Sequence, residues 1–162
     1  MINYVKGDAS DPQVPGNRII AHVCNDVGAW GRGFVLSLSA RWPKAELSYR
    51  DWHRDRDDAD LWPPMRLGQV TFVTVADGLQ VANMVAQRGV GPKDDGAPPI
   101  RYGALEECLH QVGQWARDWD YASVHMPRIG CGLGGGTWAE VEPIVVRQLV
   151  CQSIDTYVYD LV

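Results

Sequence analysis

Hydrophobic and polar positions along the chain follow two periods, and each period predicts one kind of element. Apolar or alternating runs predict six strands, at 2–6, 18–24, 69–75, 79–86, 123–127 and 156–161. Apolar residues spaced three and four apart predict four helices, at 34–41, 43 to about 56, 102–118 and 138–149. Asp77-Gly78, between the third and fourth strands, predicts a hairpin.

The order of these elements is strand, strand, two helices, hairpin, helix, strand, helix and strand. This order favours an α/β fold, a three-layer α/β/α sandwich with a mixed central sheet. The apolar run 18–24 is interrupted only by His22 and is typical of a strand buried on both faces, so we interpret His22 as a hydrogen-bonded core residue rather than a catalyst. The chain contains no internal repeat or domain boundary, which predicts a single domain over 1–162.

Composition and charge narrow the class of protein. A chain of 162 residues with 46% hydrophobic and 22% charged residues is typical of one globular domain. No apolar run approaches the ~20 residues of a membrane span, and the first residues lack the features of a signal peptide, so we expect a cytoplasmic protein with no membrane partner. We also expect a monomer. The net charge of −5 argues against broad binding to nucleic acid, although recognition of a small modified end stays open.

The four cysteines, Cys24, Cys108, Cys131 and Cys151, form no Cys-x-x-Cys pair. They are interpreted as reduced thiols rather than disulfides or zinc ligands, and we expect neither a metal nor a cofactor. Cys131 is a weak candidate for a nucleophile, because its sequence neighbourhood supplies neither a base nor a cause for a lowered pKa.

Two glycine-rich segments each lie between a predicted strand and a predicted helix. Segment 25–34 contains Gly28, Gly31 and Gly33, and segment 128–138 contains five glycines between 130 and 136. Glycine lets backbone N–H groups approach a ligand closely, and helix N-termini suit phosphate oxygens. One such segment alone could be a flexible connection. Two in one domain predict a site for a phosphorylated ligand.

Two further features allow alternative interpretations. Asp8 directly follows the first strand, where its carboxylate could accept a hydrogen bond from a ligand's amino group or cap a turn. The polar, glycine- and proline-rich stretch 87–99 is either a mobile cover of an active site or a surface excursion.

Four motifs in this chain resemble the macrodomain pattern: Tyr4-Val-Lys-Gly-Asp8-Ala9, Ile20-Ala-His22-Val-Cys-Asn25, Gly31-Arg-Gly33 and Pro127-Arg-Ile-Gly-Cys-Gly-Leu133. The branch that they resemble contains terminal ADP-ribose protein glycohydrolase and the macrodomain of the DNA ADP-ribosylation antitoxin. The resemblance covers nearly the whole chain and implies an ADP-ribose cleft at the carboxyl ends of the strands.

The resemblance also implies a role for individual residues. Asp8 would accept from the adenine amino group, the Ala9 amide would meet the ring, and Tyr159 and Leu161 would border the base. Asn25 and Asp26 would lie beside the distal ribose. The backbone that would hold the diphosphate belongs to Gly130, Cys131, Gly132, Leu133 and Gly134 on one side and to Gly31, Gly33 and Phe34 on the other.

Two positions depart from that branch. Its catalytic lysine corresponds to Gln87 in this chain, and its catalytic aspartate corresponds to Gly134. The chain has three lysines, of which Lys93 alone belongs to a loop that could approach the cleft. These departures favour direct attack by water at the anomeric carbon over a covalent lysine mechanism.

The resulting expectation is hydrolysis of ADP-ribosyl groups on glutamate or aspartate side chains, or of O-acyl-ADP-ribose. Asn25 would orient ribose hydroxyls, Asp26 would position water, and Gln87 or Arg88 would bind the leaving carboxylate. The expected partners are ADP-ribose and ADP-ribosylated proteins. Two alternatives stay open: a module that binds ADP-ribose without cleaving it, and a hydrolase acting on ADP-ribosylated thymidine in DNA.

Overall fold

Within residues 1–91 and 96–161, which the computed structural model describes, six strands and four helices occur in the predicted order. The strands are β1 Asn3–Lys6, β2 Arg18–Asn25, β3 Val70–Ala76, β4 Leu79–Gln87, β5 Ser123–Met126 and β6 Thr156–Asp160. The helices are α1 Phe34–Arg41, α2 Pro43–Arg54, α3 Tyr102–Asp118 and α4 Trp138–Gln148. None of these helices is long and apolar enough to cross a membrane.

The strands form one sheet in the order β1-β6-β5-β2-β4-β3. Every neighbouring pair is parallel except β3 and β4, which form the predicted antiparallel hairpin. Gly78 closes this hairpin with φ of 68°, a conformation that glycine adopts without strain. The predicted mixed sheet is therefore confirmed.

Successive side chains of β2 point to opposite faces of the sheet, and each face is covered by two helices. Ile19 and Ala21 belong to the core formed with α3 and α4, whereas Ile20 and Cys24 belong to the core formed with α1 and α2. The protein is thus the predicted three-layer sandwich.

His22 is a core residue, as predicted. It is 2% exposed, and its Nε2 lies 2.5 Å from Oδ1 of Asn83 on the neighbouring strand β4. Burial lowers the pKa of His22 to about 4, so the imidazole is neutral at physiological pH.

Two helix ends differ from the sequence prediction. Helix α2 stops at Arg54 rather than near 56, before the highly charged segment 55–60, whose residues are all exposed. Helix α4 stops at Gln148 and is followed by a short 3₁₀ turn, Val150–Gln152, which the periodicity did not indicate. Leu149 and Val150 are both apolar, so the hydrophobic pattern continues past the end of α4. It therefore does not mark the change from α-helix to 3₁₀ turn.

The connections after β2 and β5 position the candidate site. These strands are neighbours, but β2 leads into α1 on one face of the sheet and β5 leads into α4 on the other face. Where neighbouring parallel strands send their connections to opposite faces, a crevice opens at their carboxyl ends.

Candidate functional site

A cleft of about 640 Å³ occupies this crevice. Its volume falls within the range of roughly 300–1,000 Å³ that small-ligand sites have. The ends of β2 and β4 contribute to its wall, together with segments 29–35 and 127–134.

The cleft brings together part of the predicted site. Nine of the predicted residues line it: Asn25, Gly31, Gly33, Phe34, Gln87, Gly130, Gly132, Leu133 and Gly134. The other predicted residues lie outside its lining: Asp8, Ala9, Asp26, Arg88, Cys131, Tyr159 and Leu161.

The glycine loop, residues 130–136, turns back on itself. The Gly136 N–H donates to the Gly130 carbonyl at 2.8 Å, and the Gly135 N–H donates to the Gly132 carbonyl at 3.1 Å. The amides of Gly132, Leu133 and Gly134 donate to no acceptor among residues 1–91 and 96–161. Three successive N–H groups beside a cleft can serve an anionic ligand.

Gly132 and Gly134 have different surroundings. A Cβ atom at Gly132 would meet nothing within 4 Å, whereas one at Gly134 would lie 2.7 Å from the Gly130 carbonyl oxygen. The loop would therefore have to rearrange to hold a side chain at position 134, where the related branch has an aspartate.

The second glycine-rich segment faces the glycine loop across the cleft. Gly33, with φ of 82°, precedes α1, and no side chain caps this helix N-terminus. A Cβ atom at Gly33 would lie 3.4 Å from Cδ1 of Leu133, so the two loops approach each other closely. The exposed N–H groups and the helix dipole at this terminus favour a negative ligand group.

Asn25 holds its own loop in place. Its Oδ1 accepts from the amides of Val27 at 3.1 Å and Ala29 at 3.0 Å, and its Nδ2 donates to the Ala29 carbonyl at 2.8 Å. The Tyr49 hydroxyl, from α2, lies 2.7 Å from the Asn25 carbonyl and 2.8 Å from its Oδ1, and accepts from the Gly28 N–H at 3.1 Å. Burial raises the pKa of Tyr49, which keeps the hydroxyl neutral.

Asp26 connects this loop to the segment that follows β4. Its Oδ1 accepts from the Gly89 N–H at 2.8 Å, and its own N–H donates to the Gln87 carbonyl at 3.0 Å. Gln87 in turn donates from Nε2 to the Gly89 carbonyl at 3.1 Å. The assignment of Asp26 as the residue that positions water stays a prediction.

The ends of the stretch 87–99 are fixed. Arg88 N–H donates to the Pro99 carbonyl at 2.8 Å, and Ile100 N–H donates to the Gly134 carbonyl at 3.0 Å. The interpretation of this stretch as a cover, and the position of Lys93, concern residues 92–95, which lie outside the described residues.

The predicted adenine end lies beyond the cleft lining, where β1 and β6 end. Asp8 Oδ1 accepts from Ser10 N–H at 2.8 Å and from Ser10 Oγ at 2.7 Å, which confirms the turn cap. Its Oδ2 is 3.9 Å from Arg41, and contact with adenine stays a prediction. Tyr159 binds His125 Nδ1 through its hydroxyl at 2.7 Å, and burial raises the pKa of Tyr159 to about 12.

Tyr49, Trp30 and Arg128 contribute to the site and were not predicted from the sequence. In the sequence, Tyr49 occupies a position of α2 that any buried residue could fill. Its hydroxyl contacts Asn25 only in the folded chain. Trp30, 4% exposed, lines the cleft beside His22, and the two ring centroids are 5.2 Å apart. The sequence signal for Trp30 was a large aromatic residue within a glycine-rich segment. Arg128 also lines the cleft and binds Asp160 through two hydrogen bonds.

Cys131 is not prepared for nucleophilic attack. Burial raises the pKa of its thiol, and the nearby Arg128 opposes this shift only in part. The thiol form is therefore favoured at neutral pH, in agreement with the interpretation made from the sequence.

An open α/β sheet with a cleft at its switch point, between two glycine-rich strand–helix connections, is an arrangement that suits phosphorylated small ligands. The Macro domain family model matches residues 21–145 of this chain. The chain belongs to the macro domain family.

Individual proteins of known sequence or structure agree with this membership. A macrodomain protein from Streptomyces coelicolor is 48% identical with a TM-score of 0.85, and the match covers 99% of each chain. An ADP-ribose 1''-phosphate phosphatase of Lodderomyces elongisporus is 30% identical over 98% of this chain and 97% of that protein. The chromodomain-helicase-DNA-binding protein 1-like of Mus musculus is 30% identical over 98% of this chain, which spans 17% of that protein's length.

Proposed function

We propose that this chain binds ADP-ribose in the cleft and hydrolyses ADP-ribosyl groups from glutamate or aspartate side chains, or from O-acyl-ADP-ribose. The observation that carries the proposal is the set of amides at Gly132, Leu133 and Gly134, which donate to no acceptor in the described part of the chain and face the uncapped start of α1. A diphosphate between these two walls would accept from both. The relative from Lodderomyces elongisporus, named for ADP-ribose 1''-phosphate, supports the choice of ligand.

The remaining assignments follow from this placement of the diphosphate. Asn25 would carry the distal ribose: one N–H of its amide binds Ala29, and the second is the donor that we assign to a ribose hydroxyl. Asp8, Ala9, Tyr159 and Leu161 would border adenine, at the ends of β1 and β6.

In the proposed reaction, a water oxygen attacks the anomeric carbon of the distal ribose and the bond to the acyl oxygen breaks. The carboxylate leaves with the bonding electrons, and the water proton passes to solvent. A carboxylate is a stable leaving group, so the reaction needs little help from a general acid. Gln87, at the cleft wall, and Arg88, beside it, are the residues that we assign to the leaving carboxylate, and Asp26 is assigned to the water.

A module that binds without turnover is the second candidate. It is favoured by the neutral amide of Gln87 at the lysine position and by the crowding at Gly134, which leaves no room for a carboxylate in the present loop conformation. Asp26 also has one carboxylate oxygen already bonded to Gly89.

One experiment separates these candidates. Calorimetry with ADP-ribose would be followed by incubation with glutamate-linked ADP-ribosylated protein, with ADP-ribose 1''-phosphate and with an ADP-ribosylated thymidine oligonucleotide. Gly132→Val, which adds a side chain beside the loop amides at a position where a Cβ atom would meet nothing within 4 Å, is the matched control.

Release from the glutamate-linked protein by the wild type and not by Gly132→Val is the expected result. Tight binding without release from any substrate would establish the binding module. Turnover of the oligonucleotide or of the 1''-phosphate alone would reassign the substrate, and failure to bind ADP-ribose would overturn both candidates.

A further inference from the structure

Both ends of the glycine loop meet one cluster of side chains, the Arg128 clamp, which consists of Arg128, Asp160, Tyr4, Trp138 and Glu142. Arg128 is the first residue and Trp138 the last residue of the glycine-rich segment 128–138, which carries the loop. Tyr4 belongs to β1 and Asp160 is the last residue of β6. The clamp therefore joins segments that are distant in sequence.

The first link of the clamp is an ion pair with two hydrogen bonds. Arg128 donates to the Asp160 carboxylate from Nε at 2.7 Å and from Nη2 at 3.0 Å. These hydrogen bonds raise the pKa of Arg128 and lower the pKa of Asp160. A planar pair of this kind fixes the orientation of the guanidinium as well as its position.

The second link passes through two aromatic rings. The Arg128 guanidinium carbon lies 5.3 Å from the ring centroid of Tyr4 and 5.3 Å from that of Trp138. Trp138 Nε1 donates to the Tyr4 hydroxyl at 2.9 Å, and this hydroxyl is also hydrogen-bonded to Glu142. The start and the end of the loop are thereby connected to each other and to β1.

Such a connection matters because the loop is rich in glycine. Ordering a residue's backbone costs conformational entropy, and glycine has the most freedom to lose. Inside the loop, two backbone hydrogen bonds oppose that freedom, from Gly136 and Gly135. Fixing the loop ends reduces the ordering cost that ligand binding would otherwise have to meet.

The clamp also reaches the opposite end of the proposed ligand. Asp160 stands between Tyr159 and Leu161, the two residues assigned to the adenine border. The Arg128–Asp160 pair therefore connects the start of the glycine-rich segment to the strand end that carries the two proposed adenine residues.

We propose that Arg128 is a positioning residue for ligand binding, which acts through Asp160 and the two rings to preorganise the glycine loop. This inference rests on the proposed binding of ADP-ribose in the cleft. A different role, direct attraction of the diphosphate by the Arg128 charge, makes the opposite prediction for Asp160, whose negative charge would repel the ligand.

The test compares Arg128→Ala, Asp160→Ala and the double variant. The readouts are calorimetric affinity for ADP-ribose and hydrogen exchange of the Gly135 and Gly136 amides, which make the hydrogen bonds inside the loop. Positioning predicts affinity about fivefold to tenfold weaker in each single variant, faster exchange at Gly135 and Gly136, and no further loss in the double variant. The midpoint of thermal unfolding is expected to change little, because both side chains are more than two-fifths exposed.

Tighter binding by Asp160→Ala would overturn the inference in favour of direct charge attraction. Unchanged affinity and exchange in both single variants would overturn it as well, and would make the clamp a surface contact. A wild-type protein that does not bind ADP-ribose would instead refute the proposed function, so the two failures are distinguishable.

Discussion

The glycine loop, residues 130–136, and the segment 25–29 border the same cleft, but they hold their backbones in different ways. The glycine loop leaves the amides of Gly132, Leu133 and Gly134 without an acceptor in the described part of the chain. In segment 25–29 the side chain of Asn25 is bonded to its own loop and to Tyr49.

The glycine loop keeps N–H donors for a ligand, whereas segment 25–29 uses its polar groups to stay in one conformation. Segment 25–29 is therefore the rigid wall of the cleft. A site that must place an anomeric carbon beside a water molecule benefits from such a rigid wall. The rigid wall is also the one whose chemical role is least defined, because its strongest hydrogen-bonding groups already have partners.

The largest expected effect concerns His22, a β2 residue of the cleft lining whose ring contacts Trp30. Its pKa is lowered from 6.5 to about 4, so the unfolded chain binds more protons than the folded protein between these values. Stability should therefore fall as the pH drops from 6.5 towards 4 and level off below that, by about 3 kcal/mol for this residue. Urea unfolding between pH 4 and 8 measures the loss.

The matched variant for this measurement is His22→Gln. Buried His125, whose pKa is also lowered to about 4, titrates over the same range and stays in both proteins. The variant should show about half of the wild-type pH dependence. An unchanged pH profile in His22→Gln would mean that His22 does not contribute.

The glycine loop can be disrupted with Gly132→Val and Gly134→Val. Gly132→Val should weaken ADP-ribose binding about 100-fold, the loss of one or two hydrogen bonds to a charged group, with unfolding unchanged. Gly134→Val should lose both affinity and stability, because its Cβ would lie 2.7 Å from the Gly130 carbonyl oxygen. Calorimetry and thermal unfolding of the pair check this, and normal affinity in Gly132→Val would place the diphosphate elsewhere.

The fold was predicted from the sequence far more completely than the site. Periodicity gave α3 at 102–118, and the structure has Tyr102–Asp118, because an amphipathic helix that covers a sheet carries its own burial pattern. The two glycine-rich segments were predicted to be part of the site because several glycines between a strand and a helix let the backbone approach a ligand closely. Contacts between distant segments leave no such pattern.

Tyr49 and Arg128 illustrate what the sequence could not supply. Tyr49 occupies a helical position that any buried aromatic residue could fill, and its partner Asn25 is 24 residues away. Arg128 meets Asp160 across 32 residues. At Gly134 the sequence indicated a missing carboxylate. That a side chain at this position would clash with the Gly130 carbonyl depends on how the loop turns, which the sequence does not indicate.

Tyr49→Phe tests whether the rigid wall depends on α2. The substitution keeps the ring and removes the hydroxyl that contacts Asn25 and Gly28, so we expect a loss of about 2 kcal/mol in the free energy of unfolding. Turnover should fall more than affinity for ADP-ribose, because the diphosphate wall is untouched. Equal losses in turnover and affinity would show that the two walls do not act separately.

Asp8→Asn and Asp8→Ala separate the two interpretations of Asp8. Asparagine keeps an oxygen to cap Ser10 but no longer offers a carboxylate, so affinity for ADP-ribose should fall about tenfold with stability retained. Alanine should lower both affinity and stability. Normal affinity in Asp8→Asn would leave Asp8 as a turn cap alone.

The smallest expected effect has the opposite sign and concerns Trp30. Its indole N–H is buried and has no acceptor among residues 1–91 and 96–161, in contrast to the bonded polar groups of the adjacent segment 25–29. An unpaired buried donor costs about 1–3 kcal/mol, and removing it can be neutral or stabilising. Trp30→Phe keeps most of the apolar contact with His22 and Tyr49. The phenyl ring is smaller than the indole, and the lost volume offsets part of the stability gained by removing the N–H. We therefore expect a free energy of unfolding equal to the wild type or raised by less than about 1 kcal/mol, measured by urea unfolding. A clear loss of stability would mean that the N–H has a partner.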